Sequence, residues 1–529
     1  MHTDAQRTSG PMRAPLSRPW RIVRGIVVPI LVVWSLVAAA TLFPGPFVSA
    51  VAGFVTGGDA PQTGRPAAET CDEYAADGRA PVTGHADPDG TLRVFAIQYR
   101  IDIDHVRSYE TYRTAMRCLM ETLVEPYRRA DQPMLVVFPE AIGLPTVATG
   151  QRGTTVRAQA GTPLRAPLWD GSSAGLGGAM LQLNTAYAPQ VAAYQAKFGP
   201  IDPRKQLLLA ATDTYVRAFA TTFSEIAQDY GVYVVAGNTM AEYRETSNPI
   251  EIALFADPSV LPTATAYVAT SDRVTNSTFL WGPHVVDPDA AAGATNLLFK
   301  NEKVPLTELE TDLTALDEGP ATGPAAAANI GPVDVAGFTL GFATSLPAFR
   351  YGYPFGDRPD DLEPCADVRV SYVPCLDSLG VDVMIQADAN PVRWAADDQS
   401  GGWQPLEWMS STWRAVADPT VDVRYNVTPM MTGNLFDLAF DGQSAIMARV
   451  VDGLPKHYVG NDTFVRGDFV EYEVYVGPKP EFLALAPWVA DGERAELEMT
   501  ADSLAPGSGD DVEGEYVETA IFADLVPSR

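Results

Sequence analysis

Apolar residues fall in short unbroken runs, and these alternate with longer stripes of helical period. Leu92–Tyr99 (LRVFAIQY) reads as a buried strand. Val106–Arg129 follows with Tyr109, Tyr112, Met116, Leu119, Met120 and Leu123 on one stripe, as a helix requires. Met134–Phe138 is a second apolar strand, ending in Pro139-Glu140. Strand, helix, strand opens an α/β layered domain. The alternation resumes with a helix over Tyr215–Tyr230 and a strand over Val232–Gly237. Strands are expected at Phe338–Ala343 and Val381–Gln386, with a short helix between Val370 and Leu379. Hairpin-like strands follow Tyr425, including Asp441–Ile446.

Other stretches break this rhythm. Residues from about 143 to 207 are rich in Gly, Ala, Thr and Pro and read as an insertion. The region from Gly237 to Asn296 reads as looser chain. Residues 47–90 read as a Gly/Pro/Ala-rich linker, with Asp87-Pro-Asp-Gly90 a turn. Residues 481–529 read as an acidic C-terminal tail.

The longest apolar run, Gly25–Phe43, changes the picture of where the chain sits. No charged residue occurs from Gly25 to Gly58, while Arg7, Arg13, Arg18, Arg21 and Arg24 precede the run. About 20 apolar residues cross a bilayer. The positive-inside rule then places residues 1–24 in the cytoplasm, 25–46 as a transmembrane signal anchor, and the rest outside. A cleaved signal peptide is the rival, with Val48-Ser49-Ala50 as a small-residue site. The apolar run exceeds the usual 7–15 residues of such signals. Four cysteines (Cys71, Cys118, Cys365, Cys375) suit two disulfides outside the cell. Cys71–Cys118 with Cys365–Cys375 closes the shortest loops.

Acidic residues outnumber basic ones 66 to 37, a net charge of -29, which argues against a nucleic-acid partner. The five histidines are scattered and none lies near a Cys pair, so a His/Cys zinc site is not expected.

Four segments carry candidate chemistry: Leu135-Val-Val-Phe-Pro-Glu140, Tyr230–Asn238, Phe299-Lys300-Asn-Glu-Lys303-Val-Pro-Leu-Thr-Glu308-Leu-Glu310, and Gly337–Phe349 with Ser345. Leu379–Asn390 with Trp394 follows as the next strand and its polar exit. In this order they resemble the nitrilase, or carbon–nitrogen hydrolase, superfamily over roughly Leu92–Val476. The resemblance implies an α/β fold, a four-layer αββα sandwich over residues 91–480, and the apolar run puts one transmembrane helix before it. It implies Glu140 as general base and Lys303 as the oxyanion-stabilising cation, with Lys300 as alternative. Glu308, or alternatively Glu310, would support the lysine. It implies no cofactor and no metal, a small amide, nitrile or acyl substrate, and a homodimer.

Ser345 falls where the family's nucleophilic Cys would stand. Three readings remain open. Ser345 replaces the thiol; Cys375 or Cys365 reaches the site from a shifted loop; or the site is catalytically dead and the fold serves binding. An acyltransferase is a further alternative. Gly171-Ser-Ser-Ala-Gly175 matches Gly-x-Ser-x-Gly but lacks the flanking strand that motif needs.

Overall fold

The computed structural model describes residues 64–160, 174–353, 356–359, 361–397, 403–449, 458–460 and 482–527. The expected anchor at 25–46 and the segment 1–24 lie outside them. Among the described residues no helix is long and apolar enough to cross a membrane.

The chain is a mixed α/β fold built on two sheets. The strands in chain order are β1 (Thr83–His85), β2 (Leu92–Arg100), β3 (Met134–Val137), β4 (Tyr233–Thr246), β5 (Ala266–Trp281), β6 (Leu297–Glu302), β7 (Val333–Val335) and β8 (Phe338–Phe342). They continue with β9 (Val383–Ile385), β10 (Tyr425–Thr428), β11 (Met431–Leu435), β12 (Leu438–Phe440), β13 (Ala445–Ala448), β14 (Phe482–Leu485) and β15 (Thr519–Leu525). The first sheet runs β1-β15-β2-β3-β4-β5-β6, with β11 and β12 added beside the end of β2. The second runs β14-β13-β10-β9-β8-β7. Each has a parallel trio at its centre, β2-β3-β4 in one and β8-β9-β10 in the other.

Strand alternation explains the layering. Leu92, Val94 and Ala96 of β2 turn one way, and with Leu135 and Val137 they meet Leu340, Phe342, Val383 and Ile385 of the second sheet. Phe95, Ile97 and Tyr99 turn the other way, toward helices α1 (Tyr109–Leu119), α2 (Ala174–Ala186), α3 (Ala188–Phe198) and α4 (Thr221–Tyr230). Successive residues of a strand face opposite sides, so a strand buried on both must be apolar throughout. The outer face of the second sheet is covered likewise by α5 (Tyr372–Ser378), α6 (Gln404–Ala417) and α7 (Arg494–Leu504). The layers are therefore helices, sheet, sheet, helices.

Four sequence expectations are corrected. The last residues are no tail: β15 lies between β1 and β2 in the first sheet and β14 edges the second. Their acidity hid them, because Asp524 sits fully buried in β15 against Arg93 at 2.7 and 2.8 Å and Arg129 at 2.9 Å. Residues 64–90 are no free linker, since Cys71 is bonded to Cys118 and β1 pairs with β15. The looser region after Gly237 holds the far half of β4 and all of β5. The stretch read as an insertion, about 143–207, is mainly helical where it is described and packs into the core beside the first sheet.

Candidate active site

The chemistry-bearing side chains leave the carboxyl ends of neighbouring strands. Glu140 stands three residues past β3, Ser345 three past β8, and Asp388 three past β9. Lys303 follows directly on β6. Ligands of parallel sheets commonly bind at this end.

Glu140 is 4% exposed. Its backbone passes so close to β4 that a Cβ at Gly237 would lie 3.0 Å from the Glu140 Cα and 3.1 Å from the Ala141 nitrogen. A side chain there would press on the Glu140 backbone, and Ala141 turns the chain away at φ 56°. Lys303 Nζ donates to Glu140 Oε1 at 2.8 Å and lies 3.0 Å from Glu310 Oε2. Asn276, from β5, donates through Nδ2 to Glu140 Oε1 at 2.7 Å and to Glu310 Oε1 at 2.5 Å. Its backbone carbonyl accepts from the Lys303 N–H at 2.8 Å. Thr307 donates to Glu310 Oε2 through N–H and hydroxyl, at 2.8 and 2.9 Å.

Two carboxylates and one ammonium are thus buried together and joined by one amide. Burial raises the Glu140 carboxyl above its ordinary range and the negative charge of Glu310 adds to this, against the pull of Lys303. Burial would raise Glu310 too, but Lys303 with the Asn276 and Thr307 donors outweighs it and holds that carboxyl low. Burial would lower the Lys303 ammonium, and the two carboxylates overcome this and raise it. The same surroundings thus move the two carboxyls to opposite sides of their ordinary range.

Ser345 ends the strand-to-turn step of β8. Its backbone stands at φ 59°, ψ -116°, a region that glycine favours, and opens the turn Leu346–Phe349. Thr344 beside it is hydrogen-bonded to Thr278 of β5 at 2.7 Å, two residues from Asn276, which ties this strand end to the charged cluster. The Ser345 hydroxyl makes no hydrogen bond among the described residues, Glu140 and Lys303 included.

The structure sorts the expected residues. Glu140, Lys303 and Glu310 come together. Glu308, preferred as the supporting acid, is exposed, because it opens the short helical turn Leu309–Leu313 whose inner face carries Glu310. Lys300 lies on β6, paired with Glu242 and with Glu302 at 3.1 Å, away from the cluster. Cys365 and Cys375 are disulfide-bonded, and Cys375 packs on the outer face of the second sheet, so neither supplies a thiol. Gly171–Ser173 lie outside the described residues. Two members were not singled out from sequence. Asn276 hid in the region taken as loose, although its Val, Thr and Phe content signals a strand. Asp388 stood in the quoted strand exit; a carboxylate directly after a buried run was the available signal.

No family model and no curated protein matches this chain. Solved structures are similar at low identity. A cysteine-to-alanine variant of an amidase of the nitrilase superfamily from Nesterenkonia is 12% identical over 76% of this chain and 91% of its own, with a TM-score of 0.34. A carbon–nitrogen hydrolase from Helicobacter pylori G27 is 9% identical over 68% and 82%, with a TM-score of 0.35.

Proposed function

We propose that this chain is a carbon–nitrogen hydrolase-like protein with a nitrilase-like αββα sandwich, acting on a small neutral amide, nitrile or ester. The observation that carries this reading is the Lys303 ammonium held between Glu140 and Glu310 at 2.8 and 3.0 Å. Burying such a cluster is costly, and replacing it by apolar side chains is often neutral or stabilising. Catalysis gives it a purpose.

In this reading the Ser345 hydroxyl attacks the acyl carbon and its proton passes to Glu140. Lys303 holds the negative charge that develops on the carbonyl oxygen, in a site from which water is largely excluded. The C–N bond breaks, and Glu140 returns the proton to the departing amine. Water, deprotonated by Glu140, then attacks the acyl carbon, and Glu140 returns the proton to the Ser345 oxygen as the acid departs; an acceptor alcohol or amine in place of water would make the protein an acyltransferase.

We further propose that residues 25–46 anchor the chain in the membrane with the folded part outside. The arginine-flanked apolar run supports this, as do two cysteine pairs at bonding distance, which suit an oxidising compartment.

The test is turnover of acetamide and of p-nitrophenyl acetate, with intact-mass detection of an acyl adduct. Ser345→Ala should remove the adduct, and Glu140→Gln should cut turnover about 10²- to 10⁴-fold. Activity unchanged by both would refute the roles assigned. A second reading, a binding protein without turnover, is favoured by the unpartnered Ser345 hydroxyl. Amide binding without any adduct in the unaltered chain would select it.

A further inference from the structure

Asp388 is a residue that the reaction above does not use. It is fully buried and follows the end of β9 by three residues, as Ser345 follows the end of β8. Phe342 and Ile385 are paired in register, and each of the two side chains lies three residues further on. Adjacent strands run about 4.8 Å apart. The charges that bear on Asp388 are those of Glu140 and Lys303.

Its two oxygens differ. Oδ2 accepts from Gln386 Nε2 at 3.1 Å. The orientation of that amide is fixed, since Asn426 Nδ2 donates to its Oε1 at 2.8 Å and its Nε2 also reaches Ser411 at 2.9 Å. Oδ2 is therefore the carbonyl-like oxygen. Oδ1 is buried with no hydrogen-bond partner among the described residues. The cluster beside it already holds two acids for one ammonium, so a further negative charge would have no partner. A neutral carboxyl group carries one O–H donor, and here that donor falls on Oδ1.

We infer that Asp388 is a specificity-determining residue of this site, presenting a carboxylic-acid O–H to an acceptor oxygen on the substrate beside the carbonyl that Lys303 polarises. Burial raises its carboxyl well above the ordinary range, in keeping with that form. In this inference the acceptor lies one or two atoms from the acyl carbon. The substrate class is thus a neutral amide or ester bearing a hydroxyl, ether or second carbonyl oxygen next to the reacting group. The excess negative charge of the cluster disfavours a carboxylate at that place. This inference rests on the function proposed above.

The experiment compares lactamide with propionamide, which differ by one hydroxyl on the carbon beside the amide. Equilibrium binding to the full chain is measured by ligand-detected NMR. Lactamide should bind about tenfold more tightly, the effect of one hydrogen bond. That preference should vanish in Asp388→Ala and survive at least in part in Asp388→Asn, whose amide keeps a donor. Equal binding of the two amides, or a preference untouched by Asp388→Ala, would overturn the inference and leave the proposed function standing. Failure of both amides to bind, with acetamide also inert, would overturn both.

Discussion

The two sheets contribute unlike halves to one centre. The first brings Glu140, Asn276, Lys303 and Glu310, in which every charge has an opposite charge within 3.0 Å, while Asn276 keeps its Oδ1 without a hydrogen bond among the described residues. The second brings Ser345, whose hydroxyl makes no hydrogen bond among the described residues, and Asp388, whose Oδ1 is buried without one. The charges of the first half are paired before any ligand arrives. The second has hydrogen-bonding capacity that no described residue uses. Damage to the first should therefore register as lost stability as well as lost chemistry, whereas damage to the second should register mainly as lost chemistry.

The largest effect tests this contrast directly. Lys303→Met leaves two carboxyl groups buried without a cation, so it should cost about 3–5 kcal/mol in urea unfolding as well as turnover. Ser345→Ala should abolish turnover yet shift stability by less than about 0.5 kcal/mol, since the hydroxyl holds nothing. Equal destabilisation by the two would erase the distinction between the halves.

Next in size is a dependence on pH. The Asp388 carboxyl lies well above its ordinary value in the fold, so the unfolded chain loses that proton first as pH rises. Its stabilising contribution is complete below about pH 4 and declines above it, by at most about 1.4 kcal/mol per pH unit. Glu140 acts in the same direction and Glu310 in the opposite one. Asp388→Asn should flatten the fall in melting temperature above about pH 4. Asp441 gives a reference outside the charged cluster: buried against Trp488 and Trp394, it is pushed up to about 7, so Asp441→Asn should flatten the profile only between about pH 4 and 7. A profile unchanged by Asp388→Asn would mean that this carboxyl ionises normally in the fold.

Smaller still is the strain at Ser345. A non-glycine residue at φ 59°, ψ -116° carries a penalty on the order of 1–3 kcal/mol. Ser345→Gly relieves it and gives back part through a more flexible unfolded chain, so a gain of about 1 kcal/mol is expected along with lost turnover. A loss of stability would show that Ser345 contributes packing that its conformation does not reveal.

Much of the first half was legible in the sequence because buried parallel strands are apolar throughout. Leu92–Tyr99 and Met134–Phe138 mark β2 and β3, and the polar residue just past the second is Glu140. Lys303 was reached through the resemblance of Phe299–Glu310 to the family's lysine segment. Asn276 was not, because β5 crosses the sheet edge with Ser271, Asp272 and Arg273 in its middle, which broke the apolar signal. The C-terminal strand was missed for a related reason: Asp524 looks like solvent-facing chain until Arg93, 431 residues away, is seen beside it. Pattern reads what a residue is; it does not read which distant charge will meet it.

Glu308 and Glu310 sharpen that point within three residues. Both are acids on the same short turn, and sequence favoured the first as the support of Lys303. A helical turn places such neighbours on different sides, one toward water and the other inward. Glu310 therefore receives Asn276, Lys303 and two donors from Thr307, while Glu308 stays exposed. Glu308→Gln should change stability and turnover within experimental scatter, under about 0.5 kcal/mol. Glu310→Gln should lower both, since it leaves Lys303 with one carboxylate and frees its ammonium to tilt toward Glu140. The pH profile of turnover separates this from a merely structural loss: with Glu310 neutral, Lys303 acts on Glu140 alone, and the acid limb should move to lower pH. An unmoved acid limb would mean that Glu310 does not tune Glu140 at all, and that the lysine is held by Glu140 and Asn276 without its help.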